Sequence, residues 1–150
     1  MDLVSHTYAA QFTHVVFSTK DRRDLIPVEL QPRLAAYVVG IVRKLGLEVL
    51  AIGGTGNHLH IVMKLSPNTR LGEAVQKVKA NSSRWLGELA IKFEWQRGYG
   101  AFSVSPSMLR VVKAYVENQR EHHRVRTFDE EFLALLRKSG VRFEEREALG

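Results

Sequence analysis

The chain has 150 residues, 45% of them apolar, which suits one compact domain over residues 1–150 with a hydrophobic core of its own. Lys and Arg number 22 against 16 Asp and Glu, a formal net charge of +6, and that excess suits a polyanionic partner such as nucleic acid. The absence of cysteine excludes disulfide scaffolds, zinc knuckles and thiol nucleophiles, so any metal site must use His, Asp, Glu, Asn, Gln or backbone oxygen.

The opening MDLVSHTYAAQF has no basic region followed by an apolar stretch, and no run of apolar residues is long enough to span a bilayer; the expectation is a soluble, cytoplasmic protein. Residues 9–18, AAQFTHVVFS, are rich in aromatic and β-branched types and predict a strand. After the charged KDRRDLIP, Pro27 can open a helix, and Leu30, Leu34, Tyr37, Val38, Ile41 and Leu45 recur near the helical period from Val28 to Lys44. Gly46 ends it. LEVLAIGG and TGNHLHIVMKL then read as two strands joined by the Gly53–Gly56 turn, an antiparallel hairpin.

A second helix is predicted from about Thr69 to Leu89, with Leu71, Val75, Val78, Trp85 and Leu89 on its apolar side. A fourth strand follows at Gly100 to Val104, then a third helix from Ser107 to His122 capped by Ser105 or Ser107. Thr127 or Asp129 starts a last helix that ends at Gly140. The first six elements match the split βαβ order of a ferredoxin-like α+β fold, an antiparallel sheet with helices on one face, followed here by a further helix and a short C-terminal one.

Two pairs of residues carry chemistry. His58 and His60 are two apart in a strand, so both imidazoles point to one face and offer a metal edge; two unrelated histidines remain the alternative. Their spacing excludes a zincin, which places its histidines four apart on a helix. His122 and His123 are neighbours at a helix end and diverge by about a quarter turn, which suits a helix C-terminus or a phosphate better than chelation. Tyr115 and Gln119 are four apart on the third helix and share a face. The phenol can attack a phosphate and the amide oxygen can bind a cation, with Arg110, Lys113 and Arg120 near enough in sequence to relieve charge. The plainer alternative is that Tyr115 packs on the sheet.

Three stretches carry a family resemblance: HVVFSTKDRR at 14–23, GNHLHIV at 56–62, and WQRGYGAFSVSPS with VVKAYVENQREHH within 95–123. The chain resembles the IS200-like single-tyrosine transposases, especially the subgroup associated with repetitive extragenic palindromes. The resemblance covers roughly residues 6–145. It implies a ferredoxin-like fold, a metal held by His58, His60 and Gln119, and Tyr115 as the nucleophile that forms a 5′-phosphotyrosine and frees a 3′-hydroxyl. It further implies single-stranded DNA with a hairpin as substrate, location with the nucleoid, and a homodimer in which the tyrosine helix serves either its own or the partner's metal site. The cofactor implied is Mg²⁺ or Mn²⁺, and two imidazoles suit Mn²⁺ better. Where the family commonly has Asp before the first histidine, this chain has Asn57, which can orient an imidazole but adds no negative charge.

Candidate DNA contacts are Lys20, Arg22 and Arg23 after the first strand, Lys77, Lys79 and Arg84 on the second helix, and Arg97, Arg124 and Arg126 near the proposed active region. Trp95, Tyr99 and Phe102 are candidates for stacking on unpaired bases, with core packing as the alternative for Trp95 and Phe102. Tyr8 and Tyr37 read as terminus and helix packing. Two rival functions remain: a non-catalytic single-stranded nucleic-acid-binding module, and a metal phosphoesterase that uses water in place of Tyr115.

Overall fold

A computed structural model describes residues 6–150; residues 1–5, part of the opening stretch that lacks a basic region followed by an apolar run, lie outside the described residues. Four strands form one antiparallel sheet in the order β2-β3-β1-β4, with β1 at Gln11–Ser18, β2 at Glu48–Gly54, β3 at His58–Leu65 and β4 at Gly100–Val104. Helix α1 (Gln31–Lys44) connects β1 to β2, and α2 (Leu71–Glu88) connects β3 to β4. This is the ferredoxin-like arrangement that the order of elements predicts.

The two central strands show why alternation is weak in their sequences. One face of β1 and β3 presents Val15, Phe17, Leu59, Ile61 and Met63 to α1 and α2, which bury Leu34, Val38 and Val42, and Val75, Val78 and Leu86. The other face presents His14, Val16, His58, His60 and Val62, and it too is buried. Its cover comes from α3 (Leu109–Glu117), a single turn α4 (Gln119–His122) and α5 (Phe128–Lys138). A strand covered on both faces has no solvated side, so its sequence runs apolar, with the histidines and Ser18 marking the second face. The sheet therefore carries helices on both faces rather than one. A last turn, α6 (Glu145–Ala148), was not expected from the sequence.

The third predicted helix is not continuous. A short 3-10 turn at Pro106–Met108 leads into α3, and the chain breaks at Asn118 (φ −107°, ψ 33°) before α4 begins at Gln119. Neither serine caps it: Ser105 and Ser107 hydroxyls lie 3.1 Å from each other, and no side chain caps either turn. The C-terminal helix does have the expected cap, since Thr127 accepts from the Glu130 backbone N–H and the Glu130 carboxylate accepts from the Thr127 N–H. Among the described residues, no helix is long and apolar enough to cross a membrane.

Gly53 sets how closely α3 approaches. A Cβ at this position would collide with the Val116 carbonyl oxygen, so only glycine lets the end of α3 rest directly on β2. That contact places Tyr115 and Gln119 over the histidine face.

Candidate active site

His58 and His60 point to the same face of β3 and are fully buried. The Gln119 Oε1 atom lies 2.9 Å from His58 Nε2, while the Gln119 amide N–H donates to the Tyr115 carbonyl at 3.2 Å. That second bond fixes which end of the amide faces the histidine. Despite the break at Asn118, the residues predicted to share a helix face are brought to one place.

Donor and acceptor chemistry around His58 discriminates between a packing histidine and a ligand. Its Nδ1 lies 2.8 Å from Asn57 Oδ1 and 3.0 Å from the Thr55 hydroxyl. Asn57 Nδ2 donates to the Arg22 carbonyl at 3.2 Å and the Thr55 hydroxyl to Asn57 Oδ1 at 3.1 Å, so both oxygens can only accept from His58. The His58 proton therefore sits on Nδ1, and the Nε2 lone pair faces the lone pairs of Gln119 Oε1 across 2.9 Å. Only a second proton or a cation between them resolves this contact. A second proton is disfavoured: burial, then the neighbouring His60, lowers the His58 pKa to about 3. Adjacent ligands on an octahedral cation with bonds of about 2.05 Å are separated by about 2.9 Å, so the donor set fits a divalent metal.

His60 has a similar arrangement. His14, on β1, lies with Nε2 2.7 Å from His60 Nδ1, and its own pKa is lowered to about 3 by burial and by His60. With its Nε2 proton donated to Glu131, a neutral His60 accepts at Nδ1 from His14; moving that proton to Nδ1, with a neutral His14 as acceptor, would free His60 Nε2 as a ligand. In the metal-free arrangement His60 Nε2 lies 2.9 Å from Glu131 Oε1. Among the described residues, His58, His60 and Glu131 form a buried cluster whose ligand atoms all lie within 4.8 Å of one another.

Glu131 comes from α5 and is the residue that sequence reasoning missed. Its carboxylate also accepts from His123 Nε2 at 3.2 Å and from the Tyr115 hydroxyl. Burial opposes its charge, yet the bonds from His123, His60 and Tyr115 hold the carboxyl well below the usual range. Conversely, burial and then Glu131 raise the Tyr115 phenol. His123 belongs to the site, contrary to the expectation from neighbouring positions on a helix: its ring centre is 4.4 Å from that of His58, because the chain turns out of the helix after His122. The signal for Glu131 was present only as the second Glu of DEEF, one turn beyond a helix cap, and resembled a solvated first-turn acid. His14 stood in the quoted β1 stretch, but its role depends on the β1–β3 register, which pairs it with Val62 and Val16 with His60.

The candidate DNA contacts divide. Trp95 and Phe102 are buried core residues; Trp95 donates to the Ser82 hydroxyl at 3.0 Å and packs on Phe17, so neither is a stacking platform. Lys79 is a brace, its ammonium donating to the carbonyls of Gln96 and Gly98 at 2.7 Å each, and burial lowers its pKa. Arg22 pairs with Asp129 at 2.8 Å and ties the turn after β1 to α5. Lys20, Arg23 and Arg124 make exposed pairs with Glu94, Asp21 and Glu121, Arg84 donates to Asn81, and Lys77 and Arg97 are exposed. Tyr99 is 42% exposed, as a stacking residue requires. Tyr8 is exposed and Tyr37 stacks on Trp85.

Comparison with known proteins adds a family. The family model described as "Transposase IS200 like" matches residues 7–119. The ISDra2 transposase TnpA of Deinococcus radiodurans is 22% identical over 121 residues, 72% of this chain and 83% of that protein. A transposase crystal structure from Deinococcus radiodurans R1 superposes with a TM-score of 0.63 at 20% identity, covering 79% of this chain and 98% of that one. A REP-associated tyrosine transposase solved with a REP hairpin bound gives a TM-score of 0.58 at 15% identity, covering 77% of this chain and 70% of that one. Glu131 and the rest of α5 lie beyond the matched segment.

Proposed function

Since the chain belongs to the IS200-like transposase family, we propose that it cleaves and rejoins single-stranded DNA beside a hairpin, with Tyr115 as nucleophile and a divalent metal held by His58, His60 and Gln119. The observation that carries this reading is the apposed pair of acceptors, His58 Nε2 and Gln119 Oε1, beside a tyrosine hydroxyl. A mere nucleic-acid-binding module has no need of such a pair. The hairpin is drawn from the REP-associated relative, whose structure holds one.

The chemistry follows from the residues. The Tyr115 oxygen attacks the scissile phosphorus in line, a new phosphorus–oxygen bond forms, and the bond to the 3′-oxygen breaks. The product is a 5′-phosphotyrosine and a free 3′-hydroxyl, which takes a proton as it leaves and can later reverse the step. The phenolic proton lies on the hydrogen bond to Glu131, which gives it a path away from the oxygen. A bound divalent ion supplies Lewis-acid charge at the phosphate, and Mn²⁺ suits the two imidazoles better than Mg²⁺. Asn57 holds the His58 proton on Nδ1, and His14 is placed to accept the Nδ1 proton of His60 once Glu131 gives way to a metal. Tyr115 stands beside the histidines of its own chain, with ring centres 6.0 Å from His60, which supports use of the tyrosine in cis.

The test is direct. Labelled single-stranded hairpins from DNA flanking the gene, incubated with protein and Mn²⁺, should leave label on the denatured protein, and chelation or Tyr115→Phe should abolish it. Cleavage that persists in Tyr115→Phe would make water the nucleophile, and hairpin binding without cleavage under any metal would leave only a binding module.

A further inference from the structure

A second site lies on the opposite face of the sheet from the histidines. A cleft of about 670 Å³ opens between α2 and the segment 94–99, lined among others by Gly72, Gln76, Ser83, Gln96, Arg97 and Tyr99. Its volume falls in the range of single small-ligand sites, about 300–1,000 Å³.

Three kinds of group converge there. Tyr99 offers a half-exposed ring, with its hydroxyl beside Gly72. Gln76 and Ser83, about two turns apart on α2, have no side-chain hydrogen-bond partner among the described residues and face the same cleft. Arg97 is exposed and makes no ion pair among the described residues, Lys79 donates to two carbonyls and lies over the Phe17 ring, and the one carboxylate in the lining, Glu94, is paired with Lys20, so the cleft keeps a net positive charge. An aromatic face, edge-directed hydrogen-bonding groups and uncancelled positive charge are the complement of one unpaired nucleotide: base, base edge and phosphate.

The cleft is also fastened to the active site. The Gln96 backbone N–H donates to the Ser18 carbonyl at 2.8 Å, Thr19 and Trp95 form a β-bridge, and Ser18 is the register partner of His58. Both sites therefore open at one end of the β1–β3 pair, on opposite faces.

We infer that the cleft between α2 and residues 94–99 binds an unpaired nucleotide in the single-stranded flank of the DNA, with its base on Tyr99 and its phosphate on Arg97. The inference rests on the proposed DNA substrate. The test uses the full chain with Mn²⁺ and a DNA hairpin that carries a short unpaired flank, with 2-aminopurine placed at each flank position in turn. At one position the fluorescence should change on binding to wild type and to Tyr99→Phe but not to Tyr99→Ala. Removing the flank should weaken wild-type binding roughly five- to hundredfold, as loss of one base stack does, and this difference should vanish in Tyr99→Ala. Mn²⁺ affinity of each variant checks that it is folded.

If flank removal costs wild type and Tyr99→Ala equally, while the Tyr115 adduct still forms, the cleft assignment is overturned and the transposase chemistry stands. If wild type binds neither flanked nor flankless hairpin, both fall.

Discussion

At the residue scale, two buried rings decide how the site responds to its surroundings. Asn57 holds His58 by one hydrogen bond without adding charge, so Asn57→Ala should lower Mn²⁺ affinity about 10- to 100-fold, and Asn57→Asp should raise it; isothermal titration measures both. Equal affinity in all three proteins would remove Asn57 from the metal's support. The histidines also set a pH dependence in the metal-free protein. His14 and His58 have folded pKa values lowered to about 3, below the usual 6.5, chiefly by burial. Between those limits the unfolded chain binds more protons than the folded one, so stability falls as pH falls. Each histidine contributes a slope of about 1.4 kcal/mol per pH unit across that window. Glu131 does not offset this, because its folded carboxyl is depressed and acid favours the unfolded chain there as well. Urea midpoints should therefore drop steadily from pH 6.5 toward pH 4, and a flat profile would mean that these rings are protonated in the folded state.

At the scale of elements, the sheet and its first two helices were legible because each has a simple cause: apolar spacing in α1 and α2, β-branched runs, and Gly46 at positive φ (78°) ending α1. The site was half legible. His58 with His60, and Tyr115 with Gln119, can be read from strand and helix periods, but Glu131, His123 and His14 are brought in by packing between elements distant in sequence, which no period encodes. The same packing makes the position of α3 fragile. Gly53→Ala forces its methyl into the Val116 carbonyl, so α3 must shift, at a cost of about 1–3 kcal/mol in urea unfolding. Cleavage should fall further than stability accounts for, since Tyr115 moves with the helix. Helix α5 has the opposite task. It lays Glu131 between His60 and the Tyr115 hydroxyl and Phe128 over His58, ring centres 4.6 Å apart, so a phosphate must displace it to reach both groups. Amide exchange in α5 should rise when hairpin and Mn²⁺ are added together; unchanged exchange would show that DNA reaches Tyr115 past a stationary helix.

For the whole molecule, the question is whether one chain holds a complete site. His58 and His60 come from β3, Gln119 from α4 and Tyr115 from α3, and all meet within one chain through contacts that are themselves buried. An exchange of the tyrosine helix between two chains would have to break the Gly53–Val116 approach, the Gln119 contact with His58 and the buried Ala51–Val62–Val116 cluster, then form all of them again across an interface. Mixing His60→Ala protein with Tyr115→Phe protein separates the two arrangements. With each chain using its own tyrosine, every chain in the mixture lacks one essential group, and the covalent adduct should not appear. Adduct restored to a substantial fraction of wild type would require Tyr115 of the His60→Ala chain to act at its partner's intact histidines, and the site would then belong to the dimer.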